Sequence, residues 1–275
     1  MPNRHKHRAS PRTAERAGPP GPPPRGGGGA SPFRKPDRDL VVLWGIHAVR
    51  EALRAGRRKV LDLYATEAAA GRLEPDLAAA GLQARLVDAQ ALDRRLGPNA
   101  VHQGVLLEAR PLPALDIADL AGPDRIVLVL DQITDPHNVG AILRSAAAFG
   151  VAGLVTTDRH APPLDGVLAK AASGALEHVP VVTVPNLARA LDELGAQGFW
   201  RVGLDSAGDV GLGAAIAPGS LALVLGAEGV GLRRLTRERC DVVARLDMPG
   251  PIKSLNVSNA CAVALTLLRQ RLTGF

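Results

Sequence analysis

Residues 39–109 alternate between short apolar runs and segments with helical periodicity. The run at 40–44 predicts a strand, and Ile46, Val49 and Leu53 follow at the spacing of one helix face, with Gly56 as the expected stop. The same alternation predicts a strand at 60–66, a helix at 72–81, a strand at 83–88, a helix at 89–97 and a strand at 104–109. This pattern predicts a small α/β domain.

The alternation restarts after residues 110–121, which contain two prolines and no clean periodicity and which we interpret as a linker. In residues 122–275, strands are predicted at 126–132, 153–157, 179–184, 200–205, 221–226 and 242–248, and helices at 138–149, 164–172, 187–194, just after Gly231 and at 255–272. Strands separated by such helices favour a doubly wound parallel sheet with helices on both faces. Ligands of these sheets bind at the carboxyl ends of the strands.

Charge is divided unevenly along the chain. Residues 1–38 contain nine Lys or Arg against two acids, a net charge of +7, whereas residues 39–275 contain 24 against 25, a net charge of −1. The first 38 residues also hold nine of the 22 prolines and a single aromatic residue, Phe33. Such a segment buries too little apolar surface to offset the entropy of ordering, so we predict a disordered basic tail.

Composition also limits the class of protein. No apolar run approaches the roughly 18 residues of a membrane span, and the N-terminus lacks the apolar stretch of a secretory signal. Cys240 and Cys261 have no second pair with which to make a metal site or a disulfide framework. We therefore expect a cytoplasmic protein with no membrane partner and no metal.

The loop after the first strand of the second domain carries an unusual arginine. Asp135 and Pro136 end the strand segment, Asn138 is placed to cap the next helix, and Arg144 is the single charge in its Ala-rich sequence. An isolated surface arginine is one interpretation. The other is a ligand for phosphate or a developing oxyanion, since a guanidinium is permanently charged and offers five donors.

Residues 221–240 run from a strand through Gly226, Gly229 and Gly231 into a basic helix. The order G-x-x-G-x-G is neither the dinucleotide fingerprint nor a P-loop, but its glycines allow the backbone to approach a ligand closely. Glu228 within this loop is either a turn residue with its carboxylate in water or an acceptor that faces the ligand.

A third loop precedes the last helix. A rigid Pro-Gly-Pro turn at 249–251 is followed by four polar residues where helix capping requires one. These residues are Ser254, Asn256, Ser258 and Asn259.

Together the three loops resemble a known family. The patterns N-x-G-x-x-x-R at 138–144, G-A-E-G-x-G at 226–231 and S-L-N-V-S at 254–258 look like the three motifs of the SpoU/TrmH (SPOUT) family of RNA 2′-O-methyltransferases. The resemblance covers residues 122–275. The segments at 45–53 and 102–109 are similar to the substrate-binding domain of the bacterial branch that methylates a guanosine ribose in 23S rRNA.

The resemblance implies a fold, a cofactor and a site. The family's sheet contains a deep trefoil knot, a rare exception to unknotted topology. S-adenosylmethionine is then expected in the knot, with a side chain at Gly226 occupying the space of the adenosine, and the active site at a homodimer interface. The implied cofactor contacts are Gly226, Leu246 and Leu255, with Met248 and Gly231 close by. The implied functional polar set is Asn138, Arg144, Glu228, Ser254 and Asn256.

The first domain resembles ribosomal L30-like RNA-binding modules, which recognise RNA shape and single-stranded bases. A charge run at a helix end is more often simply solvated surface, and His102 and Gln103 either contact RNA or cap a loop. The candidate RNA contacts are Arg54, Arg57, Arg58, Lys59, Arg94, Arg95, His102 and Gln103.

These observations favour S-adenosylmethionine-dependent methylation of a guanosine ribose in 23S ribosomal RNA. A tRNA guanosine-2′-O-methyltransferase is the main alternative, disfavoured because those enzymes generally lack the separate N-terminal domain. A non-catalytic rRNA-binding assembly factor of the same fold would tolerate loss of Arg144 and of the glycines, which are all present. A nucleotide-binding enzyme would need one of the two phosphate-binding motifs that the chain lacks.

Overall fold

The computed structural model describes residues 31–159, 161–164 and 166–273. The chain divides into a unit of residues 1–34 and a compact unit of residues 35–275. Residues 1–30 of the predicted disordered tail lie outside the described residues. The larger unit begins before the predicted boundary at residue 39, and within it Asp37 accepts a hydrogen bond from Arg110 at 3.1 Å.

The first domain is an α/β unit with a mixed sheet. Its order is β1-β4-β2-β3, in which β4 is antiparallel to both neighbours and β2 is parallel to β3. The α2 helix begins five residues before its predicted start, because Thr66 Oγ1 accepts a hydrogen bond from Ala69 N and caps it there. The elements are β1 (Val41–Trp44), α1 (Ile46–Ala55), β2 (Val60–Ala65), α2 (Glu67–Ala80), β3 (Arg85–Leu86), α3 (Ala89–Leu96) and β4 (Val105–Ala109).

The second domain contains seven strands in the order β7-β6-β5-β10-β8-β11-β9, and every pairing is parallel. The predicted parallel sheet is confirmed. Short 3-10 turns lie at Ala118–Leu120 and Ala175–Glu177. The other elements are β5 (Ile126–Asp131), α4 (Pro136–Ala148), β6 (Gly153–Thr157), α5 (Gly166–Ala171), β7 (Val181–Val184), α6 (Leu187–Ala196), β8 (Trp200–Leu204), β9 (Val210–Gly211), α7 (Leu212–Ala215), β10 (Leu221–Gly226), α8 (Arg234–Glu238), β11 (Val242–Arg245) and α9 (Val257–Thr273).

Helices cover both faces of this sheet. Ile126 and Leu128 of β5 join a core with residues of α4 and α9, whereas Val127 and Val129 join a second core with residues of α6. All residues of β5 are therefore buried, as its continuous apolar run predicts. The β9 strand and α7 are not predicted, because elements of two and four residues are too short to show a periodicity. The trefoil knot remains a prediction.

The order of the strands positions the functional loops. The β10 strand lies between β5 and β8, with Gly226 paired to Asp131 and Leu225 paired to Leu204. Because parallel strands end at the same edge, the loops after β5, β8 and β10 start side by side.

Candidate active site

The loop after β10 folds back on itself. Gly231 N donates to Ala227 O at 2.8 Å, and the two residues form an isolated β-bridge. A Cβ added at Gly226 would lie 2.6 Å from Leu232 N and closer still to the Gly231 carbonyl group. Glycine is thus required at Gly226 by the loop's own backbone. This contact is a second reason for glycine at Gly226. The expectation that a side chain there would occupy the space of the adenosine stays a prediction.

Gly231 has a second constraint. Its φ is +71°, a left-handed conformation that favours glycine, and a Cβ there would lie 2.9 Å from Asp205 Oδ2. The carboxylate of Asp205 at the end of β8 therefore lies close against the glycine loop.

A cavity of about 590 Å³ opens beside this loop, within the 300–1,000 Å³ typical of small-molecule sites. Its walls come from the ends of β8 and β10, from the segment after β11 and from the start of α9. All five residues predicted to contact a cofactor line it, together with two of the predicted polar set. They are Gly226, Gly231, Leu246, Met248 and Leu255, with Glu228 and Ser254.

Three predicted site residues, one from each motif, meet through the side chain of Asn256. Its Nδ2 donates to Asn138 Oδ1 at 3.0 Å and to Glu228 Oε2 at 3.4 Å. Its Oδ1 accepts from the backbone N of Ser258 at 3.0 Å and from Ser258 Oγ at 2.6 Å, which caps the start of α9. One amide therefore caps the start of α9 and joins the first turn of α4 to the loop after β10.

The expected capping role of Asn138 is wrong. Asp135 caps α4 by accepting from His137 N at 3.1 Å, and Pro136 occupies the first helical position, where its missing N–H is no loss. Asn138 therefore lies inside the first turn, and its side chain is free to pair with Asn256.

Arg144 lies on α4 with its side chain exposed. It makes no hydrogen bond or ion pair to any residue that the structure describes. Six helical positions separate it from Asn138, which places the two side chains about 120° apart around the helix axis. Within one chain, Arg144 is thus presented to solvent and is not part of the Asn256 cluster.

Two acid–arginine pairs at the same edge were missed by the sequence reasoning. Asp131, fully buried at the end of β5, accepts from Arg233 N at 2.9 Å and from Arg233 Nε at 2.6 Å. Asp205 lines the cavity and accepts from Arg237 Nη1 at 3.1 Å. The signal that could have found them is an aspartate closing an apolar strand, at 131 and again at 205.

The two thiols are not nucleophiles in this site. Burial raises the pKa of Cys240 to about 12 and that of Cys261 to about 12, so both are protonated at neutral pH. In the described ranges, no group of three or more His, Cys, Asp or Glu side chains could hold a metal ion. No helix in those ranges combines the length and apolarity needed to cross a membrane.

Most candidate RNA contacts in the first domain have partners within the protein. Arg54 Nε donates to Asp76 Oδ1 at 2.7 Å, which raises the pKa of Arg54. Arg57 Nη1 donates to the carbonyl oxygen of Glu177 at 2.9 Å, and Arg58 is buried in an ion pair with the carboxylate of the same residue. These guanidinium groups face acids and carbonyls of the protein itself.

The remaining basic candidates differ in whether they have a partner within the protein. Arg95 pairs with buried Glu108 at 3.3 Å, whereas Arg94 is exposed, 3.9 Å from Asp88. Lys59 is exposed, with no side-chain partner in the described ranges.

His102 and Gln103 support the loop before β4. His102 Nδ1 accepts from Gly104 N at 3.0 Å, and its Nε2 lies 3.1 Å from Asp93 Oδ1. Gln103 Oε1 accepts from the first backbone N–H of α1, that of Ile46, at 3.0 Å. Both side chains therefore have the loop-capping contacts that the sequence left open as an alternative to RNA binding.

Comparison with known proteins identifies the family. The model of the SpoU rRNA methylase family matches residues 125–266. A model described as RNA 2′-O ribose methyltransferase substrate binding matches residues 42–115. The two matches coincide with the parallel-sheet domain and with the first domain.

Curated relatives match along most of their length. The 23S rRNA (guanosine-2′-O-)-methyltransferase RlmB of Xylella fastidiosa strain Temecula1 is 41% identical over 240 residues, which cover 82% of this chain and 95% of the relative. The protein of the same name from Vibrio vulnificus is 39% identical and covers 84% of this chain and 97% of its own.

A solved structure is similar over both domains. The SpoU methyltransferase AviRb from Streptomyces viridochromogenes, in complex with the cofactor AdoMet, has a TM-score of 0.71 at 25% identity, over 86% of this chain and 92% of that chain. With the family model covering half of its length and these relatives matching both domains, the chain belongs to the SpoU rRNA methylase family.

Proposed function

We propose that this protein transfers a methyl group from S-adenosylmethionine to the ribose 2′-hydroxyl of a guanosine in 23S ribosomal RNA. The observation that carries the proposal is the meeting of Asn138, Glu228 and Asn256 beside the cavity at the strand ends. The names of the curated relatives support 23S rRNA as the substrate, since these relatives match the chain over both the methylase domain and the substrate-binding domain.

The residues around the cavity fit S-adenosylmethionine. Apolar side chains suit a flat base, the glycine loop lets backbone groups approach closely, and Asp205 offers an acceptor for a ribose hydroxyl. The walls that would hold the cofactor are those of Leu204, Leu225, Gly226, Gly231, Leu246, Met248 and Leu255. When bound, this cofactor supplies a methyl group on a positively charged sulfur.

The polar residues would orient the ribose hydroxyl and stabilise the arrangement of the site. Asn256 holds the first turn of α4 and the loop of Glu228 in one arrangement, and the exposed Ser254 lines the cavity. Methyl transfer from a sulfonium neutralises charge, so alignment of the ribose hydroxyl matters most.

Arg144 would act on the charge that develops on the ribose oxygen. An arginine stays protonated at neutral pH, so it is a poor proton acceptor. Its guanidinium instead stabilises the developing alkoxide and a neighbouring phosphate, while the hydroxyl proton passes to that phosphate or to water.

The proposal includes a homodimer in the cytoplasm. Arg144 is exposed and does not join the Asn256 cluster of its own chain, which supports a site completed by a second copy. Sedimentation of the active enzyme tests this part: a dimer is expected, and a monomer that methylates at the full rate would contradict it.

Mapping of 2′-O-methyl groups on total RNA, from cells with and without the gene, tests the activity. The expected result is the loss of one guanosine methyl group from 23S rRNA and its return on complementation with the wild-type gene but not with Arg144→Ala. Loss only from tRNA would replace the proposal with the tRNA enzyme, and an unchanged RNA would favour the non-catalytic assembly factor.

A further inference from the structure

A buried ion pair joins the first domain to the methylase domain. Arg58 Nε lies 2.8 Å from Glu177 Oε1, and the two side chains are only 3% and 2% exposed. Arg58 follows α1 in the first domain, and Glu177 belongs to the 3-10 turn after α5. Arg57 adds a hydrogen bond to the carbonyl oxygen of Glu177 at 2.9 Å. Two charges are costly to bury unless their geometry is fixed, so this pair disfavours other arrangements of the domains.

The surrounding interface is shaped for the first domain. The ring of Trp44 lies against the backbone at Gly166, where any Cβ would overlap it. Gly174 has a φ of +91° and lies against the side chain of Glu51, whose carboxylate is 3.0 Å from His178 Nε2. Side chains of the first domain thus pack closely against two glycines of the methylase domain, which is typical of a specific interface.

The α5 helix, which begins at Gly166, also supports α4, the helix of the first motif. The α5 helix packs both against β1 of the first domain and against α4. Gly140 lies between Asn138 and Arg144 in the sequence, and a Cβ there would lie 2.8 Å from the carbonyl carbon of Ala171 and 2.9 Å from Ala172 N. The α5 helix therefore connects the first domain to α4 through close packing.

We infer that Arg58 and Glu177 are positioning residues, which fix the substrate-binding domain so that its RNA reaches α4 in one orientation. The inference rests on the proposed function, because it assumes that the first domain holds the RNA that is methylated. It assigns Arg58 a role in the protein's interior and not at an RNA phosphate. Misplacement of a reacting group by about 1 Å costs on the order of 100-fold in rate, so fixed docking matters for turnover.

A set of full-length variants tests this role: Arg58→Met, Glu177→Leu and the two combined. Each single change leaves one buried charge without its partner, whereas the double change replaces the pair with apolar groups of similar volume, which is often tolerated. We expect each single variant to lower kcat on a 23S rRNA fragment by roughly 10- to 100-fold. The Kd for S-adenosylmethionine should not change. Small-angle X-ray scattering should show a more extended protein for each single variant, and the double variant should recover both compactness and kcat.

Two results would overturn the inference. Wild-type kcat in both single variants would show that the pair is dispensable. A double variant that is compact but as slow as Arg58→Met would show that Arg58 acts on the RNA. If the double variant does not fold, Glu177→Gln decides, because it keeps the side-chain volume and removes the charge: unchanged scattering and turnover would refute the role.

Asp192→Asn is the matched control. Asp192 pairs with Arg239 at 3.1 Å, and both side chains are about half exposed, so its loss should change neither readout. The scattering measurements do not depend on methylation. A wild-type protein without activity on 23S rRNA would therefore refute the proposed function while the docking role is still tested.

Discussion

Charged and polar side chains behave differently in the two domains. In the first domain, two of the basic residues that stand in a run along the sequence pair with acids of the protein, Arg54 with Asp76 and Arg58 with Glu177. At the edge of the second sheet, one polar residue from each of the three motifs meets beside a cavity that Glu228 lines, and Arg144 has no ion-pair partner in the described ranges. A charge is therefore informative about function only once the fold has shown which acids lie beside it.

The largest effect is expected for Arg144→Ala. If Arg144 stabilises the developing alkoxide, its removal should lower the methylation rate by about 100- to 1,000-fold, the range for the loss of one such donor. The Kd for S-adenosylmethionine, measured by calorimetry, should stay unchanged, since Arg144 does not line the cavity. Arg144→Lys keeps the charge but not the planar fork, and should recover part of the rate. Substantial turnover by Arg144→Ala would remove the contrast with the paired arginines of the first domain.

Gly226→Ala should act on the cavity itself. The new Cβ would overlap the backbone at Gly231 and Leu232, and overpacking of this kind costs about 1–3 kcal/mol. We expect cofactor affinity to fall by up to about 100-fold as the loop is displaced, with the energy of the overlap setting that limit. The control is Gly71→Ala in α2, where an added Cβ would contact no neighbouring element within 4 Å and the helix should gain stability. Equal cofactor affinity in the two variants would contradict the self-contact of the loop.

Asn256→Asp separates the two roles of Asn256. Aspartate caps a helix about as well as asparagine, so α9 should keep its start and the melting temperature should change little. The donor to Asn138 and Glu228 is lost, and a second carboxylate is brought close to Glu228. A fall of roughly 10-fold in kcat is expected from the loss of hydrogen bonds to a charged group. If Asn256→Ala is destabilised but as active as wild type, the amide bridge has no part in turnover.

The contrast between the domains also explains what the sequence could predict. The motif residues are local: Gly226, Glu228 and Gly231 of the second pattern and Ser254 and Leu255 of the third line the cavity, as the family resemblance implied. Asp205, which stands outside the three patterns, lines it as well and was missed. The partner of Arg58 is 119 residues away, and no periodicity near Arg58 indicates it. The position of β10 between β5 and β8 likewise depends on long-range pairing. The true cap of α4 was within reach, since Asp135 stands directly before a proline suited to the first helical position.

Removal of residues 1–34 should lower RNA affinity more than the substitution of any single lysine. These residues carry seven Lys or Arg against one acid, a net charge of +6, which leaves 26 against 26 for residues 35–275. A neutral body cannot attract a polyanion by net charge, so we expect roughly 10-fold weaker RNA binding at moderate salt and a shallower salt dependence. The methylated nucleotide should stay the same. A changed site in the truncated enzyme, seen by methylation mapping, would show that the tail takes part in target choice.

The smallest effect is expected for the substitution of single basic residues in the first domain. Lys59 is exposed and without a side-chain partner in the described ranges, whereas Arg54 pairs with Asp76. Lys59→Ala should weaken RNA binding a few-fold and reduce the slope of log K against log salt by about one, as expected for one phosphate contact. Arg54→Ala should leave the slope unchanged, because its guanidinium already faces a carboxylate. If both variants lower the slope equally, the ion pairs of the first domain open when RNA binds, and its arginines serve RNA as well as the fold.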